Sequence, residues 1–271
     1  MAEVSARASN RSVLAQELST IGVLIRRDLT RFVRERSRIV GALVQPLIFW
    51  LVIGSGMSST FRLPGADSVD YMEYFFPGVV VMVVLFTAIF TTMSVIEDRH
   101  SGFLQAVLVA PGSRASVVLG KCLGAATIAL VQGSLFLLLS PLAGFELTAI
   151  AWPTVFAGLC VTCLALCVLG FGVAWWLDST AGYHVVMSLV LLPLWILSGA
   201  MFPGDAGVLA WIQRLNPMSY AVSLVRRGIY GQALPEGVVL MSGSAALELA
   251  VLVAFLSICL AWSVGLCYRR R

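Results

Sequence analysis

From the amino terminus onward, short charged stretches alternate with long uncharged ones. Before residue 39 the pattern is periodic. Leu14, Leu18, Ile21, Ile25, Leu29 and Phe32 succeed one another at spacings of three and four, and Arg27, Arg31, Arg34 and Arg38 form a second stripe at the same spacing. Such spacing places each set on one helix face, so 1–38 is expected to be a tail and an amphipathic helix with a basic face, suited to a membrane interface. Six uncharged stretches follow, 39–61, 74–96, 122–145, 147–177, 179–204 and 249–268, of 23, 23, 24, 31, 26 and 20 residues. A spanning helix needs about 20 apolar residues. Each stretch is therefore predicted to cross a bilayer once, the fourth with a turn at Pro153, and the fold class is an all-α integral membrane protein with six transmembrane helices in a domain 39–268.

Residues 203–247 fit this scheme less simply. The segment 207–225 is apolar apart from Arg214 and is long enough for a seventh span, but Asn216-Pro217 removes a helical hydrogen bond and disfavours helix at the preceding residue. Two short helices broken at that point, re-entrant or lying at the outer interface, are expected instead. Arg226 and Arg227 would then snorkel to external headgroups.

Composition agrees with the pattern. Of 271 residues, 59% are hydrophobic and 12% charged, and the mean hydropathy is +0.93; an ordinary soluble domain has roughly a quarter of its residues charged. This excludes a soluble enzyme, a nucleic-acid-binding module and a secreted disulfide scaffold. The first apolar run begins only after residue 38 and is too long for the core of a signal peptide. The basic residues are 17 Arg and the single Lys121, with eight Arg before residue 39 and three at 269–271. With both termini cytoplasmic, 14 basic residues lie inside and four outside, as the positive-inside rule prefers. The loop 62–73 then faces out, the loop 97–121 faces in, and 269–271 is a basic cytoplasmic end beside anionic lipid, with nucleic acid excluded as a partner.

Little catalytic chemistry can be assembled. Gly120-Lys121 is followed by Cys122 and has Ala115 where a phosphate loop needs its first Gly, so the chain is not expected to hydrolyse ATP. Cys160, Cys163 and Cys167 share a helix face, but no His or carboxylate is near in sequence, and they read as packing residues with no metal site. His184 is the one ionisable side chain inside the six stretches, which disfavours ion coupling without removing it as an alternative. Gly120, Gly124, Gly170 and Gly172 read as close helix contacts. Tyr71, Tyr74, Phe75, Phe76, Trp175 and Trp176 fit an interfacial belt, or a stacking platform for sugar rings or flat drugs. No internal repeat is evident, so a six-helix unit is expected to find its second half in another copy of itself.

The informative loop is 97–111. It opens with Glu97, Asp98, Arg99 and His100, passes Gly102, runs apolar through Leu104 and Leu108, and stops at Pro111. A short helix with an exposed apolar face is a docking element for another protein or a helix resting on the membrane. This loop resembles that of the permease subunits of type-two ATP-binding-cassette exporters, the group with nodulation-factor (NodJ-like), daunorubicin-type drug (DrrB-like) and polysaccharide exporters. Glu97, Arg99, Gly102, Leu104, Leu108 and Pro111 hold matching places, while Gln105 and Ala110 stand where Glu and Thr are usual. Leu192-Pro193-Leu194, Ser198-Gly199, Phe202-Pro203, Asn216-Pro217, Tyr220 and Arg226 are similar to the family's second signature.

The resemblance implies a homodimeric pathway coupled to two copies of a separate ATPase that holds ATP and magnesium, this chain itself needing no cofactor. It further implies a coupling helix at 97–111 involving Glu97, Asp98, Arg99, Gly102, Leu104, Leu108 and Pro111, with the N-terminal helix beside it. An outer gate at 203–247 would include Phe202, Pro203, Asn216, Pro217, Tyr220 and Arg226. An inner-membrane exporter subunit is the expected function, an ion-coupled carrier without an ATPase is the alternative, and a membrane scaffold is a third.

Overall fold

A computed structural model describes residues 2–58, 69–109, 113–204, 207–231, 234–235 and 237–269, without the side chains of 2–13, 36, 38 and 108. The described residues are helical throughout their ordered elements: α1 (Ala2–Arg34), α2 (Arg36–Ser58), α3 (Tyr71–Thr92), α4 (Ser94–His100), α5 (Phe103–Val109), α6 (Arg114–Leu137), α7 (Trp152–Trp176), α8 (Thr180–Trp195), α9 (Gly207–Leu215), α10 (Pro217–Tyr230) and α11 (Ala245–Arg269). Six segments are long and apolar enough to cross a membrane: Ile39–Ser58, Tyr71–His100, Arg114–Leu137, Trp152–Trp176, Thr180–Ala200 and Ala245–Arg269. These are the six stretches that uncharged length marks out in the sequence, with shifted ends.

The largest shift is in the third. Its helix begins at Arg114, where the Ser113 hydroxyl caps the Ser116 amide, and it carries Lys121 inside it. An uncharged-run criterion stops at that lysine. The helix continues because the ammonium is met by two carboxylates from other elements, and a paired charge does not have to end a buried helix.

Helix α3 is the centre of the bundle. It is apolar on every side, the signature of a helix surrounded by others, and nearly all of Tyr71–Thr92 is buried. It contacts α2, α6, α7 and α10. Trp50 of α2 meets Phe76 at 5.3 Å, and Phe76 stacks on Phe136 of α6 at 5.5 Å. The aromatic group at its start is thus neither an interfacial belt nor an open stacking platform, since Tyr71, Tyr74, Phe75 and Phe76 are all buried by the chain's own helices. Trp175 is buried too, and Trp176 alone of the six is exposed. Cys163 and Cys167 are buried on α7 as free thiols, with Cys160 half-buried.

The N-terminal helix does not stand apart. Glu17 accepts from the backbone and hydroxyl of Ser113 at 3.0 and 2.8 Å. Higher up, Gly120 lets Ile21 and Leu24 come so close that a Cβ there would sit 2.9 Å from Leu24 Cδ1, and Gly124 faces Ile25 and Asp28. Twelve residues of α1 (17 to 28) therefore run beside the twelve from Ser113, the cap of α6, to Gly124, in the same direction. The apolar stripe from Ile21 to Ile25 packs on α6 through glycines that the sequence marks as close contacts. At the same end of the bundle Arg114 donates to the Cys267 carbonyl at 2.5 Å, so the start of α6 and the end of α11 are neighbours.

Candidate functional site

Helices α4 and α5 form an elbow at the end of the bundle that carries α1. The turn between them is made by Ser101 and Gly102, and Gly102 has φ +76°, a left-handed conformation that favours glycine. Three consecutive charges leave α4 in different directions. Asp98 takes both guanidinium nitrogens of Arg27, at 2.8 and 2.6 Å, and receives Lys121 Nζ at 2.5 Å. Glu97 accepts from Arg31 at 2.6 Å. Arg99 reaches the opposite way, to Asp178 and to the carbonyls of Trp175 at 2.9 Å and Leu177 at 3.2 Å. It caps the C-terminal turn of α7, where free carbonyls and the helix dipole favour a cation, and its guanidinium lies 5.2 Å from the Trp175 ring.

The lower wall of this site is a buried ionic cluster. Lys121 also holds Asp28, at 2.9 and 3.0 Å, and the side chains of Lys121, Asp98 and Asp28 are 1%, 2% and 10% exposed. Burial pushes the Asp28 carboxyl above the usual carboxylate range, with Lys121 pulling against it. The hydrogen bonds to Asp98 hold the Arg27 guanidinium above its usual value. Arg27 completes the packing by lying 3.7 Å over the Phe103 ring of α5. The elbow is consequently tied to α1, α6 and α7 together.

Several residues expected from the sequence are redistributed. Glu97, Asp98 and Arg99 do not project as an open charge cluster, because each is engaged inside the chain. Leu104 is buried and unavailable to a docking face; the exposed side of α5 is Gln105, Ala106 and Val109. The Leu108 side chain and Pro111 lie outside the described residues. Of the basic stripe, Arg27 and Arg31 turn inward to carboxylates, Arg34 is exposed, and the Arg38 side chain lies outside the described residues. Asp28, Lys121 and Asp178 join the site only through the fold. Asp28 was legible as the one acid between Arg26 and Arg34, four residues beyond Leu24, and Lys121 as the only lysine of the chain.

At the opposite end the fifth span breaks. After Trp195 the chain widens into a π-helical turn, Ile196–Ala200, with Gly199 at φ +79°. Such a break frees carbonyls, and Asn216 and Arg226 of the second sequence signature, with Tyr74 and Gln213 from outside it, supply their donors. Asn216 caps α10 through the Met218 amide at 2.9 Å and donates to the Leu194 carbonyl at 2.6 Å. The Gly199 carbonyl accepts from the Tyr74 hydroxyl and from Arg226, both at 2.9 Å. Gln213 donates to the Phe202 carbonyl at 3.3 Å. Pro217 opens α10 at its first turn, where its missing N–H costs nothing.

Arg226 is therefore not a headgroup-seeking side chain. It is 3% exposed, with its guanidinium 4.2 Å over the Tyr74 ring. Arg227 likewise pairs with buried Glu248, at 3.2 Å. The reason is that freed carbonyls and a buried carboxylate offer these cations partners that do not require reaching the membrane surface. Phe202, Pro203, Asn216 and Arg226 gather around the break, whereas Tyr220 faces away and donates to the Arg214 carbonyl at 2.9 Å.

Comparison with known proteins gives one family match. The family described as ABC-2 type transporter matches residues 19–230. Among similar proteins, nodulation protein J of Neorhizobium galegae is 28% identical over 229 residues, covering 82% of this chain and 84% of the relative. The daunorubicin resistance ABC transporter permease protein DrrB1 of Streptomyces coeruleorubidus is 27% identical over 240 residues, covering 83% and 80%. The putative transport permease ycf38 of Cyanophora paradoxa is 26% identical over 217 residues, covering 75% and 72%.

Proposed function

The chain belongs to the ABC-2 type transporter family, and from that premise we propose that it forms, with a second copy, the substrate path of an ATP-driven exporter. A transport permease subunit of this kind is a multi-pass membrane protein and is not itself catalytic. In this reading the α4–α5 end faces the cytoplasm, where a separate ATPase, in two copies and holding ATP and magnesium, docks against the elbow 97–111. ATP-driven closure of the ATPase pair displaces α5, and the elbow passes the displacement to the spans. The break at Ile196–Ala200, with α9 and α10, is the outer gate.

The observation that supports this most is the tethering of α4. A docking helix transmits force only if it is anchored, and Glu97 and Asp98 anchor it to α1 and α6 while Arg99 anchors it to α7. The exposed strip Gln105, Ala106 and Val109 is left as the face for a partner. The substrate class stays broad: glycan, lipid-linked sugar, drug or lipid. A nodulation protein and a daunorubicin resistance permease among the relatives fit that range.

The test is co-purification of a chain bearing a phosphate-loop motif, followed by an ATPase and export assay in lipid. Gly102→Pro, or Glu97→Ala with Arg99→Ala, is expected to uncouple hydrolysis from transport while insertion persists. Unchanged stimulated hydrolysis and export in these variants would remove the coupling role. Ion-driven uptake by the chain alone would favour a secondary carrier.

A further inference from the structure

The arginines of α1 divide into two rows with different surroundings. Arg27 and Arg31 point inward and are taken by Asp98 and Glu97. Arg26 and Arg34, eight residues apart with Thr30 midway, are not drawn inward in this way, and all three are exposed. Each step of four turns about 40° around the helix, so Arg26 and Arg34 stand about 80° apart and flank Thr30. Among the described residues neither Arg26 nor Arg34 has a carboxylate partner, and the Thr30 hydroxyl donates to the Arg26 carbonyl at 2.7 Å. An open groove of about 730 Å³ runs along α1 and is lined by these three residues together with Arg27, Arg31 and the carboxylate Glu35, so its net charge is cationic.

A second groove opens at Gly41, five residues into α2. It is lined by Val44, Ile48 and Val52, which are 41%, 55% and 63% exposed. The chain passes from α1 to α2 with Glu35 still bonded to the Arg31 carbonyl at 3.2 Å, so the two grooves follow one another along a nearly continuous helix. A cationic groove leading into an apolar one matches a molecule with a phosphate head and an acyl tail. The depth agrees as well. Arg34 precedes the first residue of the span, Ile39, by five residues, about 7.5 Å of helix rise, which places Arg34 where a leaflet keeps its phosphates, with Arg26 about 12 Å of rise farther from the span.

We propose that the Arg26–Thr30–Arg34 row, with the apolar groove of α2, is a binding site for an anionic phospholipid of the surrounding cytoplasmic leaflet. The phosphate takes the two guanidinium groups, which suit it by charge and by geometry, and one acyl chain lies along Val44, Ile48 and Val52. The lipid stands outside the ionic cluster and neutralises the half of the basic face that Asp98 and Glu97 leave uncovered. This rests on the orientation adopted for the exporter reading, but not on the ATPase.

The experiment uses the full chain in nanodiscs containing phosphatidylglycerol and phosphatidylcholine with identical acyl chains, with retained lipids counted by native mass spectrometry. The wild-type chain is expected to keep phosphatidylglycerol selectively. Each arginine near an anionic leaflet contributes about fivefold, so Arg26→Gln with Arg34→Gln is expected to lower the preference roughly 25-fold. Arg26→Lys with Arg34→Lys should retain most of it, and Arg214→Gln at the opposite end should retain all of it. Equal preference in the double Gln variant and the wild type overturns the site. Loss of a co-purifying ATPase with lipid preference unchanged also overturns it, making the row a protein-docking surface. The exporter reading fails on a different measurement, the absence of nucleotide-driven transport, so the two failures are distinguishable.

Discussion

Replacing Lys121 by Met tests whether the buried ionic cluster holds α1 to the bundle. Met keeps the apolar stem and removes the charge. Asp98 still has both nitrogens of Arg27, at 2.8 and 2.6 Å, but Asp28 loses two contacts of 2.9 and 3.0 Å and retains Arg27 at 3.3 Å. Breaking a buried pair from one side costs about 3–5 kcal/mol. Asp28 can lower that cost by taking up a proton. Its carboxyl is already raised by burial, so the net loss at neutral pH is expected to fall at or below the lower end of that range, about 3 kcal/mol.

The pH dependence follows in sign. A carboxyl whose folded pKa lies above its unfolded value is stabilising below the unfolded value, and that stability is lost as pH rises through the folded value. The Lys121→Met deficit should therefore shrink in mildly acid buffer and grow toward alkaline pH. The assay is thermal denaturation of the intact chain together with protease cleavage of the α1–α2 junction. Asp28→Asn combined with Lys121→Met should recover most of the loss, since it leaves no unpaired charge. A single variant as stable as wild type at alkaline pH, or a double variant no better than the single one, would refute the reasoning.

Two other substitutions probe separate contacts. Gly120→Leu forces a side chain into the space of Leu24 and the Ile21 backbone; overpacking costs about 1–3 kcal/mol, and the expected readout is faster proteolysis of α1 with the six spans still inserted. Unchanged cleavage would show that α1 does not rest on α6. Arg226→Met removes a donor from the Gly199 carbonyl and a cation from the Tyr74 ring, at about 1–2 kcal/mol. Hydrogen exchange should rise around 199–202 and stay unchanged in α1, and equal protection in both proteins would remove Arg226 as the tie between α10 and the broken span.

The six spans and the break at Asn216-Pro217 were legible because their causes are local. An apolar run of sufficient length must be helical in a bilayer, which leaves no other way to satisfy its backbone, and a proline interrupts a helix wherever it sits within it. The glycines at 120 and 124 were legible as close contacts, though not what they would touch. Glu97, Asp98 and Arg99 were legible as a cluster at a membrane edge, but not that each is consumed within the chain. Nor could sequence distinguish Arg27 and Arg31 from Arg34, since all share one periodic stripe.

Those distinctions depend on partners far away along the chain. Arg27 meets Asp98 across 71 residues, Lys121 meets Asp28 across 93, and Arg226 meets the Tyr74 backbone across 152. Periodicity orients a side chain around its own helix axis and says nothing about which other helix stands there. Hydropathy likewise treats Lys121 as the end of a span, because it assigns a charge its full cost of leaving water. Helix packing cancels much of that cost by bringing Asp28 and Asp98 within 3 Å. Local composition was enough to establish that this chain crosses a membrane and where it does so. Which charges hold the bundle together, and which stay free for a lipid or a partner, was settled by long-range packing, since a buried charge is affordable only beside its counter-charge.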